Sequence, residues 1–239
     1  MKGEGVDQKM NIRVTLIMVC TSPIFFSSCR RDEPVSGPWP VISGDIPFDK
    51  NPSRYWQVGY SLHKVLSPAD FRLCTFADTS NVVGMWHPSQ GRPGYYPYTG
   101  QNRTTTLQSD PTNSWSARPG QIVMEGSNTG QFSMLRFIAP VSGEYKLSAV
   151  FEGVHRRLST TDVHILLNDR HLFDDIIDGY GGDPSFFAIT GGHPVSSYTE
   201  TLRLNKNDVL TFAVGYGPNK SHFNDTTGLM LSIKAIPPG

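Results

Sequence analysis

The chain is predicted to fold as an all-β, two-sheet antiparallel sandwich of the jelly-roll kind. Three observations carry this prediction. Apolar and polar residues alternate with a period of two in run after run beyond residue 54, which gives a strand one buried and one wet face. Turn-forming residues divide these runs, as antiparallel architectures require. No segment places apolar residues at helical spacing over three turns.

The runs follow in order. Ser67-Pro68-Ala69-Asp70 has the composition of a short helical turn rather than a strand. Tyr145, Leu147, Ala149 and Phe151 share one face of a strand, with Glu144, Lys146 and Ser148 on the other. Ala139-Pro140-Val141-Ser142-Gly143 is the tight connection before it. Val163, Ile165 and Leu167 alternate with Asp162, His164 and Leu166, and Asn168-Asp169 then forms a hairpin turn toward Leu172-Phe173. Asn205-Lys206-Asn207-Asp208 separates Leu202-Arg203-Leu204 from Val209 in the same way. Leu210, Phe212, Val214 and Tyr216 alternate with Thr211, Ala213 and Gly215, and Leu229, Leu231 and Ile233 with Met230, Ser232 and Lys234. Paired sheets that each bury one face meet this pattern.

Residues 1–28 read as a targeting segment and stand outside the fold. Lys9 and Arg13 precede the apolar run Val14-Thr15-Leu16-Ile17-Met18-Val19-Cys20, which Pro23-Ile24-Phe25-Phe26 extends. Phe26-Ser27-Ser28-Cys29 resembles a bacterial lipobox, so Cys29 is the expected lipidation site, and Met10 is an alternative start. The run is too short, and too broken by Pro23 and serines, for the roughly 20 apolar residues of a membrane-crossing helix. Secretion with Cys29 unmodified is the alternative. Residues 29–53, rich in Pro, Gly and charge, are expected to be a flexible tether, and residues 54–237 a single domain. The expected location is the bacterial cell envelope, lipid-anchored at the outer membrane or cell surface, with the membrane as a partner through the anchor.

Removing Lys2, Lys9 and Arg13, with Glu4 and Asp7, from 21 basic and 21 acidic residues leaves 18 and 19. A mature chain this close to neutrality argues against a nucleic-acid partner, which calls for a basic surface. Cys74 is then the one cysteine beyond signal and anchor. An internal disulfide is excluded, and a small buried thiol is expected at Phe71-Arg72-Leu73-Cys74-Thr75-Phe76.

Phe137-Ile138-Ala139-Pro140-Val141-Ser142-Gly143-Glu144-Tyr145 resembles a phrase of bacterial jelly-roll domains of the galactose-binding-like and carbohydrate-binding-module type. Phe151-Glu152-Gly153, Thr161-Asp162-Val163-His164-Ile165, Leu167-Asn168-Asp169, Phe212-Ala213-Val214-Gly215-Tyr216-Gly217 and Asp225-Thr226-Thr227-Gly228-Leu229 belong to the same pattern. The resemblance spans about residues 55–236 and is strongest from Ile122 onward. It implies a jelly roll, and a glycan as the ligand class.

The residues themselves leave function open. No Gly-x-Ser-x-Gly elbow, His-Glu-x-x-His pair or phosphate-cradling glycine motif is present. Aromatic rings in the Gly/Pro/Ser-rich region from Gly84 to Gly120 are the leading ligand candidates: Trp86, Tyr95, Tyr96, Tyr98 and Trp115. A flat ring beside polar groups suits the apolar C–H face and hydroxyl edge of a sugar. The alternative is that these rings plug one end of the sandwich. A second group is Tyr216, Asn219, His222, Asn224 and Asp225 in the loop from Gly215. Asp174, Asp175 and Asp178 are candidate ligands for a structural calcium ion. Glu152, Asp162 and Asp225 are the carboxylates a glycoside hydrolase or lyase would draw on. Three functions therefore compete: a non-catalytic glycan binder, a carbohydrate-active hydrolase or lyase, and a protein-interaction module of an envelope assembly.

Overall fold

The computed structural model describes residues 41–43, 46–89, 96–181 and 193–237. Its elements are the strands β1 (Val41–Ser43), β2 (Trp56–Ser61), β3 (Phe71–Leu73), β4 (Phe76–Asp78), β5 (Val83–His87), β6 (Tyr98–Asn102), β7 (Gln108–Ser109), β8 (Ser116–Ala117), β9 (Ile122–Glu125), β10 (Ser133–Ile138), β11 (Gly143–Gly153), β12 (Leu158–Leu167), β13 (Arg170–Tyr180), β14 (Val195–Leu204), β15 (Val209–Val214) and β16 (Thr227–Ile236). Among the described residues the one helical element is a 3-10 turn, Pro68–Asp70, capped by the Ser67 side chain. It lies where Ser67-Pro68-Ala69-Asp70 predicts it.

Two large sheets face each other. One runs β14-β11-β16-β9-β6-β5-β4, with β1 paired to β16, and the other runs β13-β12-β15-β10-β2-β3. Every pairing is antiparallel. The last eight strands show the wiring. Counted from β9, the first sheet takes the sixth, third, eighth and first strands side by side, and the second takes the fifth, fourth, seventh and second. That is the double Greek key of a jelly roll.

Alternation places the core as predicted. Tyr145, Leu147, Ala149 and Phe151 of β11 are all fully buried, opposite Leu135 and Phe137 of β10, Val163 and Ile165 of β12, and Leu210, Phe212 and Val214 of β15. The alternation of β12 runs on to Leu167, which packs partly buried against the core beside Val163 and Ile165, while Leu166 is buried outside that core cluster. Turns follow sequence chemistry. Asn168 and Asn207 take positive φ (57° and 72°) in the turns after β12 and β14, a conformation that asparagine tolerates. Gly217 takes φ +67°, and a Cβ there would lie 1.7 Å from the Thr160 carbonyl oxygen, so only glycine fits. Cys74 is a buried free thiol, and burial pushes its pKa up.

The domain begins earlier than residue 54. Val41–Ser43 pairs with Ser232 to Lys234 of β16, and Ile46 and Phe48 are buried in the core. The Ile46 N–H donates to Gln101 Oε1 at 2.8 Å. Scattered apolar residues among prolines and glycines are enough here, because each fills a place in the sandwich. The lipobox and Cys29 lie outside the described residues.

Candidate functional site

The site forms on the outer face of the larger sheet. Along β5, Val83, Met85 and His87 point away from the core while Gly84 and Trp86 point in, as strand alternation demands. Tyr98 and Gly100 of β6 and Val123 and Glu125 of β9 continue the outer face through the register Met85 with Gly100, Gly100 with Val123, and Tyr98 with Glu125. Such an apolar outer face needs a cover, and residues 103–119 supply it.

Polar side chains hold this cover in place. Asn102, fully buried, donates to the Thr106 and Ala117 carbonyls (2.8 Å each) and accepts the Thr104 N–H (3.0 Å). Asp110 Oδ1 accepts the N–H groups of Ser114 (2.5 Å) and Trp115 (3.0 Å), and Oδ2 accepts that of Thr112 (3.1 Å). Burial works to raise the Asp110 pKa, but these bonds outweigh it and the carboxyl sits below its ordinary value. The small β7–β8 ribbon follows, and Trp115 bridges to His155. Trp115 and Ala117 thereby pack on Val83, Tyr98, Val123 and Val154 as a second apolar cluster, with Met85 and Tyr96 at its margin.

The cover does not close completely. Between it and β4–β6 lies a cleft of about 480 Å³, walled by Tyr96, Tyr98 and Trp115 and floored by Val83 and Met85. Asp78, Asn81, His87 and Ser109 bring polar atoms to it. Asp78 accepts the Ser80 hydroxyl (2.6 Å) and N–H (2.9 Å), and these bonds, the hydroxyl's first, hold its carboxyl below the ordinary range. The Tyr96 phenol is pushed up to about 12, by burial first and then by the charges of Glu125 and Asp110. It therefore stays protonated and can donate. An apolar ring wall beside the Asp78 and Asp110 carboxylates and several neutral groups suits a ligand with a flat apolar face and hydroxyl edges.

Beneath the aromatic wall sits a buried acid. Glu125 is 4% exposed, and its Oε2 accepts the Tyr98 hydroxyl (2.8 Å) and the Thr226 hydroxyl (2.6 Å). Burial pushes its pKa to about 8 despite those two bonds, and the charge of Asp225 adds to the rise. Asp225 is itself fully buried, with Oδ1 taking the Thr160 N–H (2.9 Å) and Oδ2 without a hydrogen bond. Its pKa rises to about 7, again through burial.

The sequence-predicted residues divide clearly. Tyr96, Tyr98 and Trp115 meet at the cleft, although Tyr98 and Trp115 are largely buried rather than displayed on loops. Trp86 does not join them. It points into the core at 5% exposure, stacks on Phe48 with ring centroids 6.2 Å apart, and donates its indole N–H to the Pro47 carbonyl (3.0 Å). Tyr95 lies outside the described residues. His222 packs edge-on to Tyr96, centroids 4.6 Å apart, and it is buried. Tyr216 packs instead toward Gly130, and Asn219 bonds to Thr160. The loop from Gly215 thus backs the cleft through one residue and does not line it.

The other candidates also separate. Asp174 and Asp178 share one face of β13, whereas Asp175 turns to the opposite face and bonds Ser196 of β14. The proposed calcium trio is therefore not assembled, because consecutive residues of a strand face apart. Glu152 is buried against Arg118, Gln121 and His193. Asp162 is held by His164 and the Gly217 N–H. None of Glu152, Asp162 and Asp225 lines the cleft. Sequence reading missed Asp78, Asn81, Val83, Met85, His87 and Ser109. The alternation of Val83, Met85 and His87 was the available signal, since it marks one face of a strand.

No protein-family model and no curated protein matches the chain. Solved structures similar to it include CBM51 from Clostridium perfringens GH95 in complex with methyl-galactose, at 12% identity and TM-score 0.34, covering 59% of this chain and 89% of that one. A structure described as "CBM4 structure and function" matches at 11% identity and TM-score 0.31, covering 66% and 90%. The CBM51-2 and INT domains from Clostridium perfringens ZmpB match at 8% identity and TM-score 0.37, covering 74% of this chain and 31% of that one. Overlap this loose leaves the jelly-roll assignment resting on the strand order and register.

Proposed function

We propose that this jelly roll is a non-catalytic glycan-binding domain, carried by an exported envelope lipoprotein anchored through Cys29. The cleft carries the proposal. Its volume of about 480 Å³ falls within the roughly 300–1,000 Å³ usual for small-ligand sites. Tyr96, Tyr98 and Trp115 offer faces for a sugar ring, and Asp78, Asn81 and Ser109 offer hydrogen bonds to its hydroxyls. Binding rather than turnover is the better fit, because the acids nearest the rings are committed elsewhere. Glu125 is buried beneath Tyr98, and Asp110 spends its oxygens on the loop that carries Trp115.

Affinity electrophoresis through gels containing different polysaccharides tests this reading. The purified protein is expected to be retarded by at least one of them. Tyr96→Ala, which removes a half-buried ring without opening the core, should weaken that retardation about tenfold, equivalent to about 1.4 kcal/mol. Unretarded migration in every gel, or equal retardation of the variant, would count against the cleft. The anchor is tested separately. Labelling growing cells with a clickable fatty acid should mark the wild-type protein and not Cys29→Ser, and equal labelling of both would rule Cys29 out.

A further inference from the structure

We propose that His164, His171 and Asp174 bind a divalent transition metal, zinc foremost, on the outer face of the smaller sheet. The donor atoms of these three side chains lie within 4.8 Å of one another. Asp174 Oδ1 is at the centre, 2.5 Å from His164 Nδ1 and 2.7 Å from His171 Nδ1. None of the three lines the aromatic cleft.

The backbone assembles this group by breaking its own alternation. His164 of β12 stands directly opposite Asp174 of β13, which brings one imidazole and one carboxylate together. His171 is three residues before Asp174, and on a regular strand an odd separation puts side chains on opposite faces. The pairing shift cures this. Ile165 pairs with Phe173 and Leu166 with His171, so Leu172 is the extra residue of a bulge. That one insertion turns His171 to the side of Asp174. Bulges re-aim side chains in this way and gather near functional sites.

The donor chemistry selects the ion. Two imidazole nitrogens and one carboxylate oxygen are the ligand set of zinc and its neighbours, whereas calcium asks for six or more oxygens. Tetrahedral zinc with bonds of about 2.0–2.1 Å holds its ligand atoms about 3.3 Å apart. The three donors reach that spacing by small outward movements, and the two that must move most freely, His171 and Asp174, are about half exposed (45% and 49%). Three protein ligands leave a fourth position facing water.

A second layer orients the least mobile ligand. The other nitrogen of His164, Nε2, meets Asp162 Oδ2 at 2.8 Å, and Asp162 Oδ1 accepts the Gly217 N–H at 2.7 Å. With its Nε2 proton committed to a carboxylate, His164 directs the Nδ1 lone pair at the ion. A carboxylate behind a ligating histidine is the usual support of such sites. Phe132 stands edge-on to His164 at 5.6 Å and fixes the ring from the side.

Isothermal titration of the full-length chain, stripped with EDTA and desalted, against zinc chloride tests the proposal. One saturable equivalent is expected, with cobalt(II) giving the strong visible bands of a low-coordinate site and calcium failing to compete. His171→Ala and Asp174→Asn alter half-exposed side chains, and each should weaken zinc binding more than tenfold with an unchanged melting temperature of the metal-free protein. Asp162→Asn should weaken it about 10- to 100-fold through the second layer. No saturable heat, or one equivalent bound with undiminished affinity by both His171→Ala and Asp174→Asn, would overturn the site and leave the three side chains as a hydrogen-bonded cluster.

Discussion

Replacing Glu125 with glutamine is expected to stabilise the protein at pH 8 and to change little at pH 5. The sign follows from the buried carboxyl. Its pKa stands at about 8 in the folded protein against 4.5 ordinarily, so the folded state binds a proton that the unfolded chain has released. The stability this neutral carboxyl contributes is fully present below about pH 4.5 and is lost as pH rises through 8. A shift of this size corresponds to about 3–5 kcal/mol. Asp225, raised to about 7, works in the same direction over a slightly lower window. His155, whose pKa burial lowers to about 4, opposes them by favouring folding as pH rises from 4 toward 6.5. The clean observable is therefore the difference between wild type and Glu125→Gln in urea denaturation at several pH values. Glutamine still offers an oxygen to the Tyr98 and Thr226 hydroxyls, and it cannot ionise. A difference that stays flat from pH 5 to pH 8 would mean that Glu125 is not held protonated beneath the cleft.

Trp86→Ala should cost about 3–5 kcal/mol of folding stability, the range for truncating a large aromatic in a packed core. Three contacts are lost together: the stack on Phe48, the indole bond to Pro47 and the filling of the space beneath β5. Trp86 is one of the ties that hold the early segment around Ile46 and Phe48 to the sandwich, so its protection from hydrogen exchange should fall with the mutation. Glycan retention by the fraction that remains folded should be unaltered. A variant with near-native denaturation and no glycan retention would return Trp86 to the binding surface.

Trp86 also shows why the fold was more legible than the site. The period of two in β11, β12, β15 and β16 states which residues face a core, and Tyr145 to Phe151 lie where it puts them. Periodicity does not say whether the opposite face meets water. On the outer face of β5 and β6 it meets residues 103–119, a stretch of Thr, Ser, Asn and Pro that reads as loop because its bonds are side chain to backbone. Asn102 and Asp110 organise that stretch through contacts that have no pattern in sequence. Tyr98 and Trp115 were identifiable as rings in a polar region, but their burial depends on this cover. The His164, His171 and Asp174 group was hidden for a related reason. A bulge at Leu172 corrects an odd spacing that regular strand geometry would have kept apart. Similarly, Ile46 and Phe48 lie in a Pro/Gly-rich stretch that composition assigns to a tether, and only the vacancy they fill in the core shows otherwise.

Ring resonances of tyrosine and tryptophan, followed by NMR during titration with an oligosaccharide fragment of the best-retained polysaccharide, test the cleft most directly. The Tyr96 and Trp115 signals are predicted to shift together and to saturate at one dissociation constant, with Trp86 and Tyr216 unmoved. Saturable shifts at Tyr216 with Tyr96 and Trp115 silent would place the ligand elsewhere and contradict the assignment of this cleft.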